Sequence, residues 1–193
     1  MDWLLAALTG YLLGSIPFGL LLTRAAGLGD VREIGSGNIG ATNVLRTGNK
    51  GVAAGTLVLD LAKGLAAVLI VKALWPGCEG IAAVAVVIGH CFPLWLRFKG
   101  GKGVATTAGV AFGLAWPIGL TYALVWLGLL AAVRISSVAG IAAVVIAAIA
   151  AWLLDYAEYA VPLAVIAAIV ICLQRDNLAR LRRGEEPRVG GSK

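Results

Sequence analysis

The feature that most constrains this chain is a series of long apolar segments with almost no charge inside them. Soluble domains are about half apolar and a quarter charged, whereas this chain is 60% hydrophobic and 13% charged. A soluble protein of 193 residues would have to cover its surface with polar groups that this sequence lacks. The pattern excludes an ordinary cytosolic protein and a disordered one, and it indicates that lipid is the solvent.

The apolar segments predict an all-α integral membrane protein with seven transmembrane helices, since about 20 apolar residues cross a bilayer. The longest segment, Val104–Val133, is interrupted by Trp116 and Pro117, so we expect two short helices there. The alternative is one long helix through Pro117, which would place Arg134 on the other side of the membrane. The remaining predicted spans are Trp3–Thr23, Val52–Trp75, Ile81–Leu96, Val138–Leu154 and Tyr159–Leu173.

The distribution of charge predicts the orientation of the chain. The net charge is +6, and most basic residues lie in short connections and in the tail. Cytoplasmic loops carry an excess of Lys and Arg, so seven spans place the N-terminus outside and the C-terminus in the cytoplasm. In such a chain the cations indicate anionic lipid or phosphorylated substrates, and not nucleic acid. We expect residues 1–193 to form a single transmembrane domain with a basic tail from about residue 174.

The segment Gly35–Arg46, which we name loop one, has the composition of an anion-binding loop. Glycine and asparagine tolerate a positive φ, so successive N–H groups can turn toward one point. Arg46 adds a charged, forked donor. The alternative is a flexible loop that ends in a helix cap. The other candidate ligands in loop one are Ser36, Gly37, Asn38, Gly40, Thr42 and Asn43.

The segment Arg97–Gly103, which we name loop two, precedes an apolar helix. Its backbone N–H groups, its lysines and the positive end of that helix together predict a phosphate site. It is not a Walker A loop, because glycine follows Lys102. The alternative is a positive-inside cluster with a hinge. The candidate ligands in loop two are Lys99, Gly100, Gly101, Lys102 and Gly103.

Other polar residues lie near these loops in the predicted topology. Asp60 and Lys63 share a helix face in the second span, as a buried ion pair or as groups that line a cavity. His90 is the only histidine. We place it among the candidate substrate-binding residues, and the alternatives for its role are a base or a hydrogen-bonded structural group. The last set anchors the chain at the membrane surface or closes over a polar ligand: Ser137, Gln174 and Asn177.

Several familiar catalytic patterns are missing from the sequence. There is no G-x-S-x-G nucleophile elbow, and the three cysteines form no zinc pattern with His90. No aspartate follows His90 four residues later. We therefore expect no metal and no cofactor, and a site that positions phosphorylated reactants and stabilises charge. The alternative is a transporter of a phosphorylated metabolite, although such folds usually have two related halves.

The ordered motifs resemble the bacterial membrane acyl-phosphate:glycerol-3-phosphate acyltransferases. The resemblance implies a seven-helix inner-membrane enzyme that transfers a fatty acyl group from acyl phosphate to the sn-1 hydroxyl of glycerol 3-phosphate. It also implies an upstream acyl-carrier-protein:phosphate acyltransferase that supplies the donor. The matching segments are Gly14–Gly19, Gly35–Val44, Leu59–Gly64, Gly89–Pro93, Phe98–Thr106, Arg134–Ser137 and Arg175–Glu186.

Carried over to this sequence, the resemblance implies particular roles. Ser36 and Arg46 lie at the reacting end, and loop two binds the glycerol phosphate. Two positions depart from the family pattern, with Gln174 in place of histidine and Gly140 in place of serine. Since glutamine cannot carry a proton, we expect Gln174 to bind substrate. The catalytic residues are then Ser36, Arg46, Lys102 and Asn177, and the structural residues are Asp60, Lys63 and Glu186.

Overall fold

A computed structural model describes residues 1–190 as a bundle of α-helices, with no β-strand in that range. Polar segments join the helices at one end of the bundle, and short turns join them at the other. The helices are α1 (Asp2–Gly14), α2 (Phe18–Ala25), α3 (Ala41–Val44), α4 (Lys50–Leu74), α5 (Glu79–Cys91), α6 (Val104–Leu114), α7 (Trp116–Val133), α8 (Ser136–Leu153), α9 (Ala157–Leu173) and α10 (Arg175–Arg182).

The long apolar segment Val104–Val133 is divided between two helices. Ala115 is extended, with a φ of −156°, and Pro117 lies in the first turn of α7, where a residue needs no N–H partner. Tyr122 Oη donates a hydrogen bond to the carbonyl oxygen of Val104 at 2.8 Å. Helix α7 therefore folds back along α6, and the prediction of two helices is confirmed. Only α6 is short, however, because α7 has 18 residues.

Glycine allows the helices to pack closely. A Cβ on Gly14 of α1 would overlap the backbone of Val86 on α5, and one on Gly109 of α6 would overlap the backbone of Leu61 on α4. Small residues permit such an approach between membrane helices. Helix α1 therefore packs along α5, α4 packs along α6, and α8 packs against both α7 and α9.

Within residues 1–190, four helical segments are long and apolar enough to cross a bilayer, and α9 is a fifth when it is combined with α10, from which it is bent by 57°. Helix α6 has 11 residues, which gives a length of about 17 Å against a hydrocarbon thickness of about 30 Å. The outer faces carry exposed apolar side chains, such as Leu124 and Val161, as expected for contact with lipid. The count of seven spans stays a prediction. The four segments are Asp2–Ala25, Glu79–Leu96, Trp116–Val133 and Ser136–Leu153.

The polar segments meet at one end of the bundle. The hydroxyl oxygen of Thr42 in loop one lies 3.2 Å from that of Ser136 at the start of α8. Lys102 Nζ in loop two donates a hydrogen bond to Asn177 Oδ1 in α10. These links confirm that segments far apart in sequence converge at a common site.

Candidate active site

Loop one is organised around the buried side chain of Asn43. Its Nδ2 donates hydrogen bonds to the carbonyl oxygens of Val31 at 2.8 Å, Ile34 at 3.1 Å and Asn38 at 2.7 Å. Its Oδ1 accepts a hydrogen bond from the backbone N–H of Ser36 at 3.0 Å. Both ends of the amide are therefore used inside the loop, and Asn43 is placed to shape loop one and not to contact a ligand directly.

Loop one presents Ser36 and Arg46 on its exposed surface. One guanidinium nitrogen of Arg46 donates to Asn43 Oδ1 at 3.2 Å, which fixes the side chain against the loop. Gly35 has a φ of 56°, and a Cβ there would overlap both Asn43 and Arg46, so only glycine fits. The exposed Gly37 follows Ser36, while Asn38 Oδ1 accepts a bond from the N–H of Gly40 at 2.7 Å.

Loop two is held by its own backbone. The N–H of Gly100 donates to the carbonyl oxygen of Cys91 at 3.1 Å, and the N–H of Gly101 donates to that of His90 at 2.9 Å. These two amides are therefore directed into the protein, so the structure corrects the prediction that they cradle a phosphate. Gly103 has a φ of 83° and is the N-cap of α6, which leaves the side chain of Lys102 as the loop's contribution to the site. Lys99 is exposed to solvent.

Five side chains from three segments form a hydrogen-bonded network, which we name the tail cluster. The carboxylate of Glu186 accepts bonds from Ser137 Oγ at 2.8 Å, Asn177 Nδ2 at 2.5 Å and Arg180 Nε at 2.8 Å. Lys102 joins the cluster through Asn177 Oδ1. The side chain of Glu186 is only 4% exposed, so the buried carboxylate holds Ser137, Asn177 and Arg180 in one fixed arrangement.

The cluster shifts the pKa values of its own members. Burial raises the pKa of Glu186, but the three hydrogen bonds to the carboxylate outweigh burial and hold that pKa below its ordinary value of 4.5. Burial lowers the pKa of Lys102, and the nearby charges of Arg180 and Arg46 act in the same direction. Cations from both loops and from the tail therefore act on one small region, which favours an anionic ligand.

The segment that follows α10 is hydrogen-bonded to Arg134, just before α8. Arg134 Nε donates a hydrogen bond to the carbonyl oxygen of Val189 at 3.1 Å, and the N–H of Val189 donates to the carbonyl oxygen of Arg134 at 2.7 Å. This double contact holds the segment that carries Glu186 over Ser137. Glu186 and Val189 thus contact the segments that carry Ser137 and Arg134, and the structural role of Glu186 stays a prediction.

The two departures from the family pattern are neighbours in space. Gln174 is 2% exposed, and a Cβ on Gly140 would lie 3.4 Å from its Nε2. That nitrogen has no hydrogen-bond partner within residues 1–190. Gln174 lies one helical turn before Asn177, so its buried donor lies next to the tail cluster. A lone sequence gives no signal for this adjacency.

An apolar cavity of about 200 Å³ opens beside the site, between α4 and α7. Thr42 and Ser136 lie at its polar edge, and Leu57, Trp126 and Leu130 are among the side chains that form its apolar walls. The sequence reasoning missed Trp126 because a tryptophan in a membrane helix has many ordinary explanations. It also did not single out Arg180, although Arg180 lies three residues after Asn177 and hence on the same helix face.

The arrangement defines a class: a helical membrane protein with a cationic polar site beside an apolar cavity. Within residues 1–190 no group of three or more His, Cys, Asp or Glu is placed to hold a metal ion. The sequence profile of the family described as "Glycerol-3-phosphate acyltransferase" matches residues 4–184. The chain belongs to this family.

Individual relatives are similar along the whole chain. Glycerol-3-phosphate acyltransferase of Erythrobacter litoralis is 65% identical over 190 residues, covering 98% of this chain and 96% of the relative. That of Novosphingobium aromaticivorans is 63% identical over 193 residues, covering 100% and 98%. The crystal structure of PlsY, an integral membrane glycerol 3-phosphate acyltransferase in its glycerol 3-phosphate form, matches with a TM-score of 0.92 at 36% identity, covering 98% of this chain and 96% of that one.

These matches confirm the predicted family, the helical membrane fold and the assignment as an acyltransferase enzyme. They decide between the enzyme and the transporter in favour of the enzyme. A second structure of PlsY, in the lysophosphatidic acid form, matches with a TM-score of 0.90.

Proposed function

We propose that the chain transfers a fatty acyl group from acyl phosphate to the sn-1 hydroxyl of glycerol 3-phosphate. The products are 1-acylglycerol 3-phosphate, a precursor of phospholipids, and inorganic phosphate. The observation that carries the proposal is the tail cluster, in which cations and neutral donors are fixed around a buried carboxylate next to loop one. Two anionic substrates must meet in this reaction, and cations at both loops offset the repulsion between them.

Glycerol 3-phosphate is assigned to the tail cluster. Lys102 and Arg180 would bind its phosphate, together with the N-terminal end of α6, where unpaired N–H groups favour an anion. Ser137 and Asn177 would orient the hydroxyl that reacts, because Glu186 already holds both side chains in one geometry. In this proposal Gly100, Gly101 and Gly103 shape loop two, and the exposed Lys99 attracts the substrate from solution.

Acyl phosphate is assigned to loop one and to the apolar cavity. The exposed Arg46 and Ser36 would contact the phosphate and the carbonyl oxygen, with Gly37 allowing close approach. Asn38, Gly40 and Asn43 keep the loop in shape through their own hydrogen bonds. The acyl chain would enter the cavity between α4 and α7, passing Thr42 and contacting Trp126.

The proposed chemistry is direct transfer. The sn-1 hydroxyl oxygen attacks the carbonyl carbon of acyl phosphate, and the bond from that carbon to the phosphate oxygen breaks. The hydroxyl proton leaves with the phosphate, whose second pKa of about 6 suits a base near neutral pH. Acyl phosphate is an activated anhydride, so positioning and stabilisation of the developing oxyanion by Arg46 and Ser36 supply the catalysis. In this proposal Gln174 donates a hydrogen bond to the substrate and does not accept or relay the hydroxyl proton.

We also propose that the chain crosses the bacterial inner membrane seven times, with the N-terminus outside and the C-terminus and active site on the cytoplasmic side. The positive-inside rule supports this, since loop one, loop two and the basic tail share one end of the bundle. The short helices α6 and α9 would then require tilt or local thinning of the bilayer. Residues 1–193 would act as one domain, and a soluble acyl-carrier-protein:phosphate acyltransferase would supply the donor.

The test is phosphate release by the purified protein in lipid, with glycerol 3-phosphate and either acyl phosphate or acyl-CoA. We expect release with acyl phosphate only, and a loss of at least about 100-fold in Lys102→Ala because a preorganised charge is removed. Lys72→Ala is the matched control, since Lys72 lies in the last turn of α4, whereas loop one precedes the first turn of that helix. Equal turnover with acyl-CoA would refute the donor, and an acyl-Ser36 adduct trapped by acid quench would refute direct transfer.

A further inference from the structure

Three ionisable side chains are buried inside the helices beneath loop two. Asp60 and Lys63 of α4 are 1% and 4% exposed, and His90 of α5 is 3% exposed. Ionisable groups among membrane helices are costly, and they usually occur where a function requires them. The chemistry proposed above uses none of the three, so their presence needs a separate explanation.

Lys63 connects α4 to the break between α1 and α2. Its Nζ lies 2.8 Å from Asp60 Oδ1 and donates a hydrogen bond to the carbonyl oxygen of Ile16 at 2.8 Å. From this break α2 continues to Gly19, where a Cβ would overlap the carbonyl oxygen of Ile39 in loop one. The ion pair therefore holds the helix on which the backbone of loop one rests.

His90 lies between the same carboxylate and loop two. Its Nδ1 lies 3.6 Å from Asp60 Oδ1, which is beyond hydrogen-bond distance, and it has no hydrogen-bond partner within residues 1–190. The opposite edge of the ring lies against Gly101, where a Cβ would overlap Nε2. The backbone N–H of Gly101 donates to the carbonyl oxygen of His90 at 2.9 Å, and Lys102 is the next residue. The imidazole therefore lies directly under the backbone that positions Lys102.

We propose that Asp60, Lys63 and His90 form a positioning unit that fixes loop two relative to loop one, and thereby the distance between the two bound substrates. The proposal rests on the function proposed above, since it requires an anion at each loop. A misplacement of about 1 Å between reactants can cost about 100-fold in rate, so a rigid link between the loops has a direct catalytic effect. None of the three touches substrate, and they act through the backbone.

The contact between His90 and Gly101 gives a specific test. In Gly101→Ala the new Cβ must displace the ring or the loop, and we expect kcat/KM for glycerol 3-phosphate to fall by about 100-fold. In the double variant Gly101→Ala/His90→Ala the ring is gone and the Cβ has room. We therefore expect the double variant to recover at least about 10-fold of that loss. Gly128→Ala is the matched control, because a Cβ there meets nothing within 4 Å.

Two readouts separate positioning from mere stability. The first is the split between kcat and KM. In Gly101→Ala kcat should fall because the two substrates are misplaced relative to each other, and KM should rise for glycerol 3-phosphate while it changes little for acyl phosphate. The second is the calorimetric Kd for glycerol 3-phosphate alone, which needs no donor and no turnover. If the wild type binds glycerol 3-phosphate but does not use acyl phosphate, the proposed donor is wrong, and the Kd series still tests the positioning unit.

Two results would overturn the proposal. One is a double variant that is no more active, and binds no more tightly, than Gly101→Ala. The other is a set of variants in which KM rises equally for both substrates and the loss of activity follows the loss of thermal stability, which would make the three residues a structural cluster only. Recovery in the double variant, with the effect confined to glycerol 3-phosphate, would support it.

Discussion

Loop one and loop two have similar compositions but are built in opposite ways. Loop one folds around a side chain, with the buried amide of Asn43 bonded to three backbone carbonyls and to the N–H of Ser36. Loop two folds by backbone pairing, because Gly100 and Gly101 donate to carbonyls at the end of α5. In both loops, backbone amides of the glycine-rich segment are hydrogen-bonded inside the protein. The groups that each loop presents to a ligand are therefore mainly cationic side chains, Arg46 in loop one and Lys102 in loop two.

This difference predicts which substitutions impair each loop. Loop one should lose its structure when the internal polar side chain of Asn43 is removed, whereas loop two should be displaced when volume is added at a glycine. If the loops also divide the substrates as proposed, damage to loop one should affect acyl phosphate and damage to loop two should affect glycerol 3-phosphate. The predictions below test this division, in order of decreasing effect.

Removal of the central amide of loop one should have the largest effect. Asn43→Ala leaves several buried backbone groups without a partner, which costs about 1–3 kcal/mol, and it releases Arg46. We expect at least about a 100-fold loss of kcat/KM for acyl phosphate. Asn49→Ala is the matched control, since Asn49 caps α4 and should lose about 1 kcal/mol of stability but little activity. If kcat/KM for acyl phosphate is unchanged in Asn43→Ala, loop one does not bind the donor.

The buried amide of Gln174 should have a smaller effect, confined to glycerol 3-phosphate. Gln174→Leu removes a donor that has no partner within residues 1–190. If the donor binds substrate, the KM for glycerol 3-phosphate should rise by about 10-fold, as expected for one hydrogen bond to a charged group. A variant with unchanged KM and higher thermal stability would show that Gln174 only fills space beside Gly140.

The apolar cavity should affect only the donor, and only modestly. Trp126→Ala enlarges a wall of the cavity, so contacts with the acyl chain are lost. We expect the KM for acyl phosphate to rise several-fold, which corresponds to about 1 kcal/mol of lost apolar contact, and the preferred chain length to shift. Measuring KM across a series of acyl phosphates checks this, and an unchanged chain-length profile would place the acyl chain elsewhere.

The pH dependence of Glu186 should be the smallest effect. Its folded pKa lies below the ordinary 4.5, so the ionised carboxylate stabilises the fold above that ordinary value. This contribution is lost as the pH falls through the folded pKa. The difference in Tm between wild type and Glu186→Gln should therefore be present near pH 7 and shrink as the pH falls below 4.5. A difference that does not change with pH would mean that the charge of Glu186 does not stabilise the cluster.

The sequence predicted the features that depend on local pattern. Residue type and order predict the apolar segments, the break near Pro117 and the clustering of cations at one end of the bundle. The convergence of Lys102, Asn177 and Glu186 could be expected because positive-inside topology brings their segments to one face. Composition alone does not fix the count of spans, since α6 is short and the first apolar segment is interrupted between α1 and α2.

The features that the sequence did not predict depend on the direction of backbone N–H groups and on contacts between residues far apart in sequence. Glycine-rich composition does not reveal that the amides of Gly100 and Gly101 are turned into the protein by the carbonyls of α5. The adjacency of Gln174 and Gly140 arises from packing between α8 and the end of α9. The position of His90 under Gly101 is likewise a tertiary contact, so neither the base nor the structural alternative described its location.

The most direct test of the division between the loops is the calorimetric titration of glycerol 3-phosphate, without donor, into wild type, Lys102→Ala and Arg46→Ala in lipid nanodiscs. The account predicts that Lys102→Ala loses binding by at least about 10-fold, as expected for removal of a charged hydrogen-bond donor, while Arg46→Ala binds like the wild type. Equal loss in both variants would contradict the division and would mean that the two loops form one shared phosphate site.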